Sequence, residues 1–401
     1  MITSKKKLLI CISDYPFPAR KNGISIRYYP IIEHVSTIFD IHLMAITDGR
    51  VSEDQLQDAY KFCSKVSVYT KRSHPTSTIK KILLRAGSLI PGRLPFKYVR
   101  YDQKHLEEFI KTETQGVIYD VALCVLLDNL HLVKKNISAK RYSLDLIDSP
   151  YSTFIRTMGK SPLKKIDAYI LRCWERRALK KVDYACYISP LDRLLGSGSD
   201  NESIGVIPNG LFLSDHTQER KHFGGKCLGY LGHMGYPPNI TAANRLYRIY
   251  DKIYKEVSDL KLIIIGRDPS DEIKELHIRN NNVLVTGSVD NIWPYINSID
   301  IFVFPMEIGS GQQNKLLEAM AAGIPVISSK LGNSGIGAAH NHQIVIADSD
   351  EEFITAIKHL LANEQTRKEI GKEGKKFVDS NYYWPSIFDK IEATLLRSDN
   401  L

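Results

Sequence analysis

Short apolar runs alternate with amphipathic stretches along the whole chain. Apolar runs predict strands over 7–12, 40–46, 65–69, 119–126, 142–147, 184–188 and 204–207. Between them, helical periodicity runs over stretches such as 24–37, 53–63, 101–112 and 163–181. After a linker around 211–226 the pattern restarts. Strands are expected at 227–231, 260–265, 283–285, 299–304, 325–328 and 343–346, with helices at 239–256, 291–297, 312–322, 350–363 and 365–379. Strands alternating with helices in this way give parallel sheets covered on both faces. Two such units in tandem predict an α/β chain of two Rossmann-like domains, with ligands at the carboxyl ends of the strands and the active site in the cleft between the domains. The boundaries are placed at 1–215 and 216–383, with a C-terminal helix over about 384–401 packing back on the first domain.

One segment carries more chemistry than the rest. The apolar run Ile299 to Phe304 is followed by a turn, Gly309-Ser310-Gly311, then a helical pattern with Leu316, Leu317, Met320 and Ala321 at apolar spacing, ended by Gly323 and Pro325. A helix N-terminus fed by a glycine loop presents free N–H groups and partial positive charge, and both suit a phosphate. Lys315 stands in the first turn, where a cation opposes the helix dipole unless an anion sits in the loop. Glu318 shares that face one turn deeper, where a carboxylate could accept two ribose hydroxyls.

The string from Gly309 to Val326 resembles the donor-binding signature of GT-B glycosyltransferases of group 1, family four, in the subtype with Gly-Ser-Gly-x-x-x-Lys-x-Leu-Glu-Ala-Met-Ala-x-Gly-x-Pro-Val. Gly229-Tyr-Leu-Gly-His-Met-Gly-Tyr-Pro-Pro-Asn239 is similar to the first strand and loop of the C-terminal domain in bacterial polysaccharide sugar transferases. Ile263 to Pro269, Val285 to Val289 and Ile207-Pro-Asn-Gly210 follow the same order, so the likeness covers most of 200–385. The N-terminal half matches more loosely, through Pro16-Phe-Pro18, Gly23, Arg27 and Trp174-Glu-Arg-Arg177.

This resemblance implies the GT-B fold and retaining transfer of a sugar from a nucleotide-diphosphate sugar to a lipid-linked saccharide acceptor in bacterial surface polysaccharide assembly. It departs at one point: many relatives carry a pair of glutamates separated by seven residues, and the position eight before Glu318 is Ser310, with Glu307 three places out of register. In those relatives the first glutamate contacts the donor sugar, so the identity of the sugar does not carry over.

Lys315, His233 and Asp148 are the catalytic candidates. Gly232, Arg267, Thr286, Gly287, Gly309, Ser310, Gly311, Gln312, Gln313, Asn314 and Glu318 are the donor-binding candidates, with Val285 to Gly287 offering backbone groups to the base. Gly23, between the first strand and its helix, lets a donor or acceptor approach the backbone; Arg27 in that helix faces either cleft or solvent. Asp145 and Asp148 flank the end of a strand, where carboxylates bind substrate hydroxyls or, for Asp148, cap the next helix. Glu175, among cations on its helix, reads as a salt-bridged structural residue. Asn209-Gly210 reads as a boundary turn. No metal site and no cofactor is expected: Asp14, Asp128 and Asp300 are isolated and no DxD pair is present.

Composition narrows the class. The 401 residues, 43% hydrophobic and 25% charged, suit a soluble two-domain protein. No apolar run reaches the roughly twenty residues that span a bilayer. The N-terminus reads as a buried strand, not a signal peptide. The six scattered cysteines point to reduced thiols in a cytoplasmic protein. From Lys71 to Lys104, nine Lys or Arg face one acid, Asp102, interleaved with apolar residues, and a second basic stretch runs from Lys160 to Lys181. Such surfaces suit anionic lipid headgroups, which places the protein peripherally at the inner face of the cytoplasmic membrane. No nucleic-acid module accompanies the charge. Two competing readings remain: a non-catalytic nucleotide-sugar-binding subunit or sensor, and a UDP-sugar 2-epimerase, which shares the two-domain architecture but needs a different motif set.

Overall fold

Thirteen apolar segments form strands among the residues described by the computed structural model, which are 5–19, 22–71, 95, 103–157, 162–198, 201–211, 219–257, 259–309 and 311–396. The chain divides into two compact units, Met1–Pro208 with Phe388–Leu401, and Asn209–Ile387.

The first unit is built on seven strands: β1 (Lys6–Ile12), β2 (Phe39–Thr47), β3 (Lys65–Thr70), β4 (Ile118–Val125), β5 (Ser138–Ile147), β6 (Tyr184–Tyr187) and β7 (Ile204–Val206). They lie in the order β3-β2-β1-β4-β5-β6-β7, and every pairing is parallel. Leu8 to Ile12 are fully buried, as a central parallel strand covered on both faces requires. The first helix, Gly23–Val35, starts on a reciprocal cap in which Asn22 and Ser25 bind each other's backbone N–H. From Phe388 onward the helix Trp384–Leu396 belongs to this unit: Phe388 stacks on His34 at 4.1 Å and Arg141 donates to the Leu395 carbonyl at 2.6 Å.

The second unit carries β8 (Cys227–Leu231), β9 (Lys261–Ile265), β10 (Val283–Val285), β11 (Ile301–Phe304), β12 (Val326–Ser328) and β13 (Val345–Ile346), in the order β10-β9-β8-β11-β12-β13, again all parallel. The strand order reverses between β1 and β4 in the first sheet and between β8 and β11 in the second. A crevice opens at such a reversal because the flanking connections leave on opposite faces, and ligands of open α/β sheets bind there.

Each strand read from apolar runs is present, most within two residues of its expected bounds. Helices Leu130–Asn136, Pro150–Thr157, Pro190–Ser197 and Asp271–Arg279 were not among the expected stretches. They are short, and their apolar faces cover too few turns to show a period. The basic segment Lys71–Lys104 falls largely outside the described residues, as do Lys160 and Ser310.

Candidate functional site

At the reversal point of the second sheet, the loop after β8 brings Gly232 and His233, and the loop after β11 brings Gly309 and Gly311. Gly309 adopts φ 147 and Gly311 φ 73, conformations that side chains resist; a Cβ on Gly309 would also collide with Met306. The helix Asn314–Ala321 follows, and no described side chain caps its N-terminus. It starts two residues later than its apolar pattern suggests, which places Gln312 and Gln313 in the loop.

Lys315 is the second residue of that helix. Its ammonium turns inward, 5.1 Å from the Phe304 ring centroid and 5.9 Å from that of Tyr230. Nζ donates to Asn239 Oδ1 at 2.7 Å. Among the described residues it forms no ion pair. Burial pushes its pKa down to about 8, and the Glu318 carboxylate opposes that shift. A cation kept half-buried on aromatic faces, with no ion-pair partner among the described residues, favours an incoming anion.

Asn239 was missed in the sequence. It sits in the first turn of the helix Pro237–Tyr254, 8% exposed, and gathers three site elements. Besides Lys315, its Oδ1 accepts from the Tyr230 hydroxyl at 3.1 Å, and its Nδ2 donates to the His233 carbonyl at 3.0 Å. A Cβ on Gly232 would approach the Asn239 amide at 3.0 Å, which explains a glycine there. The available signal was Pro237-Pro238-Asn239 within the motif, read only as part of a string.

The other expected donor residues divide by what already occupies them. His233 Nε2 lies 3.0 Å from Asp268 Oδ2, with its ring 43% exposed. Arg267 is exposed beside the same carboxylate, at 3.7 Å. The backbone N–H of Thr286 is committed to the Ile264 carbonyl at 3.0 Å, and its hydroxyl donates to the Gly287 carbonyl at 2.9 Å. The edge expected to read a base through its backbone is therefore partly satisfied from within. Gln312 clamps residue 209: its Oε1 accepts from the Asn209 N–H at 2.9 Å and its Nε2 donates to the Asn209 carbonyl at 3.0 Å. It holds the loop, and Asn209-Gly210 is more than a boundary turn. Nε2 of Gln312 also lies 3.2 Å from Asn314 Oδ1. Glu307 pairs with Arg245 at 3.6 Å.

In the first unit the structure corrects three readings. Arg27 faces neither cleft nor solvent: it is 1% exposed, with Nε 2.8 Å from Asp145 Oδ2. Tyr28 donates its hydroxyl to the same oxygen at 2.6 Å, so Asp145 is consumed in a buried structural network. Glu175 is not salt-bridged to its neighbouring cations. It is fully buried and accepts from the Ser149 hydroxyl (3.0 Å), the Tyr151 N–H (3.1 Å) and the Tyr187 hydroxyl (2.7 Å). Burial raises its pKa and these bonds oppose the rise. Gly23 begins the first helix with nothing within 4 Å of where a Cβ would stand.

Asp148 remains chemically open. Its buried Oδ1 has no hydrogen-bond partner, and burial, then the nearby Asp192, pushes its pKa up to about 6. Asp192 accepts from the Ser189 hydroxyl at 2.6 Å and lies 3.6 Å from Arg156. Such a carboxyl can accept a proton or bind a hydroxyl near neutral pH. Among the described residues no group of His, Cys, Asp and Glu could hold a metal ion. Asp14, Asp128 and Asp300 accept hydrogen bonds from Asn22, Ser13 and the Cys227 N–H respectively.

Comparison with known proteins bears on this geometry. The profile described as "Glycosyl transferases group 1" matches residues 225–363. An uncharacterized 44.6 kDa protein in the cps region of Klebsiella pneumoniae is 23% identical over 96% of this chain and 98% of its own length. The capsular polysaccharide biosynthesis glycosyltransferase CapM of Staphylococcus aureus is 26% identical over 50% of this chain and 54% of its own. Among solved structures, Anabaena HepE in complex with UDP-glucose superposes with a TM-score of 0.62 at 13% identity, covering 97% of this chain and 99% of that one.

Proposed function

We propose that this chain, which has two Rossmann-like units in a GT-B fold and matches the group 1 glycosyltransferase profile over residues 225–363, is a glycosyltransferase that moves a sugar from a nucleotide-diphosphate donor to a saccharide acceptor in assembling a bacterial surface polysaccharide. The observation that carries the donor assignment is Lys315, a half-buried ammonium without an ion-pair partner among the described residues, at a helix N-terminus that no described side chain caps, beside a glycine loop. The capsule role of CapM and the UDP-glucose held by HepE support the choice of substrates. The family match argues against the 2-epimerase reading.

In the proposed reaction the bond from the anomeric carbon to the diphosphate oxygen breaks, and that oxygen keeps the electron pair. The acceptor hydroxyl bonds to the same carbon, with retention, and passes its proton to the departing diphosphate oxygen. Lys315 and the helix N-terminus stabilise charge growing on the leaving diphosphate. His233 donates to that diphosphate, Glu318 binds ribose hydroxyls, and Asp148 binds the acceptor hydroxyl. No metal is called for, because the protein's own cation faces the charge. Sugar-dependent release of nucleoside diphosphate by the purified protein tests this; binding without release would favour the sensor reading instead.

The acceptor is proposed to be lipid-linked, with the enzyme held on the anionic inner face of the cytoplasmic membrane. The charge of Lys71 to Lys104 motivates this. A described feature adds support: helix Pro162–Leu179 exposes Leu163, Ile166 and Tyr169 at 58%, 46% and 69%, beside exposed Lys164, Lys165 and Arg172. Apolar side chains flanked by cations suit a headgroup layer. Among the described residues no helix is long and apolar enough to cross a membrane. Sedimentation with anionic vesicles at low and high salt tests the attachment.

A further inference from the structure

The contacts of Lys315 raise a question that the donor assignment leaves open: what keeps a half-buried ammonium in place when no carboxylate among the described residues forms an ion pair with it. Glu318, on the same helix, acts on it electrostatically without an ion pair. The rings of Phe304 and Tyr230 lie against it but supply no lone pair to fix a direction. Among the described residues its one hydrogen-bond acceptor is Asn239 Oδ1, at 2.7 Å.

That oxygen is itself oriented. The Tyr230 hydroxyl donates to it, and the amide nitrogen on the other side donates to the His233 carbonyl, so the amide cannot turn over without losing all three bonds. The same side chain therefore ties the loop after β8 to the helix Asn314–Ala321, across 76 positions of sequence.

We propose that Asn239 is the positioning residue of the donor site: it holds Lys315 through a neutral oxygen, so the ammonium is fixed in place yet keeps its full charge for a diphosphate. This rests on the donor reading above. An aspartate of the same size would hold the ammonium as well but would neutralise it. An alanine would leave it charged but loose. The type of residue at 239 matters through its lack of charge as much as through its shape.

The test is calorimetric titration of the full chain with inorganic pyrophosphate, using wild type, Asn239→Ala, Asn239→Asp, Lys315→Ala and the Asn239→Ala/Lys315→Ala double variant. Asn239→Ala should weaken pyrophosphate about tenfold, the scale of one hydrogen bond to a charged group. Asn239→Asp should weaken it further: it keeps the oxygen that holds Lys315 and loses the bond to the His233 carbonyl as the alanine variant does, so a loss beyond that of alanine comes from the added charge. The double variant should bind no more weakly than Lys315→Ala within about twofold, because Asn239 acts through Lys315. Additive losses, or an aspartate variant that binds as well as the alanine one, would overturn the inference while leaving the donor site standing. If wild type ignores pyrophosphate, or Lys315→Ala binds it unchanged, the donor reading itself falls and this inference with it. Should the alanine variant fold poorly, the isosteric aspartate variant decides alone. Its ammonium midpoint, followed by NMR of methylated Lys315, should rise above that of the wild type; an unmoved midpoint counts against the contact.

Discussion

Arg27 and Asp145, 118 residues apart in sequence, form an ion pair of 2.8 Å that is sealed inside the first unit. Burial alone would lower the guanidinium's pKa, but Asp145 and then Tyr28 more than offset this, so Arg27 is charged at any physiological pH. Removing one partner leaves the other buried and uncompensated. Arg27→Ala should therefore cost about 3–5 kcal/mol of stability. Chemical denaturation measures this, and a loss under about 1 kcal/mol would mean that water reaches Asp145.

The pair also marks the limit of reading this chain as a sequence. Strands were legible because parallel strands buried on both faces leave unbroken apolar runs, as at Leu8 to Ile12 and Ile301 to Phe304. The glycine loop and Lys315 were legible because a helix N-terminus concentrates its chemistry in neighbouring positions. Arg27 was not, since its partner comes from β5, and nothing local says which way an arginine near the start of a helix points. Asn239 escaped for the same reason: a neutral amide becomes informative only once Lys315 is found against it. Glu175 was misjudged because the cations next to it in sequence point elsewhere, while its hydroxyl partners arrive from other elements.

Asp148 should show a distinct pH signature. Its folded pKa, about 6, lies above the ordinary 3.8, so the folded state binds an extra proton between those values. The stability this contributes is complete below about pH 4 and is lost as pH rises through about 6. Asn at this position keeps the neutral form's shape. Asp148→Asn should thus be more stable than wild type at pH 7, with the advantage vanishing near pH 4, while turnover falls. Thermal melts of both proteins across this range decide it; parallel curves would remove the burial argument.

Lys315 has the opposite sign. Its folded pKa of about 8 lies below the ordinary 10.5, so its charge costs stability at neutral pH and the cost is relieved as pH rises from about 8 to 10.5. Lys315→Met keeps the apolar stem against Phe304 and should stabilise the ligand-free protein at pH 7 by about 2–3 kcal/mol. Donor affinity in the wild type should fall as pH climbs through 8. Lys315→Ala should lower turnover about a hundredfold with the fold intact. Glu318→Ala should act mainly on donor KM, because a ribose is held in the ground state as well. A donor KM independent of pH between 7 and 9 would contradict the cationic role.

Membrane attachment should be electrostatic. Each cation near an anionic bilayer contributes about 1 kcal/mol, within a Debye length of about 8 Å at physiological salt. Replacing Lys80, Lys81 and Arg85 together by Glu should abolish sedimentation with anionic vesicles, as should high salt on the wild type. Activity on a short, water-soluble acceptor should survive both. If the wild type ignores anionic vesicles at low salt, the attachment is wrong.

The central claim is that the second unit receives a nucleoside diphosphate against Lys315. Calorimetric titration of wild type and Lys315→Ala with UDP, GDP and ADP, beside the free nucleosides, tests it most directly. The account predicts that at least one diphosphate binds the wild type, that its nucleoside does not, and that Lys315→Ala weakens the diphosphate at least about tenfold. Equal affinity in the two proteins, or no binding of any diphosphate to the wild type, would contradict it.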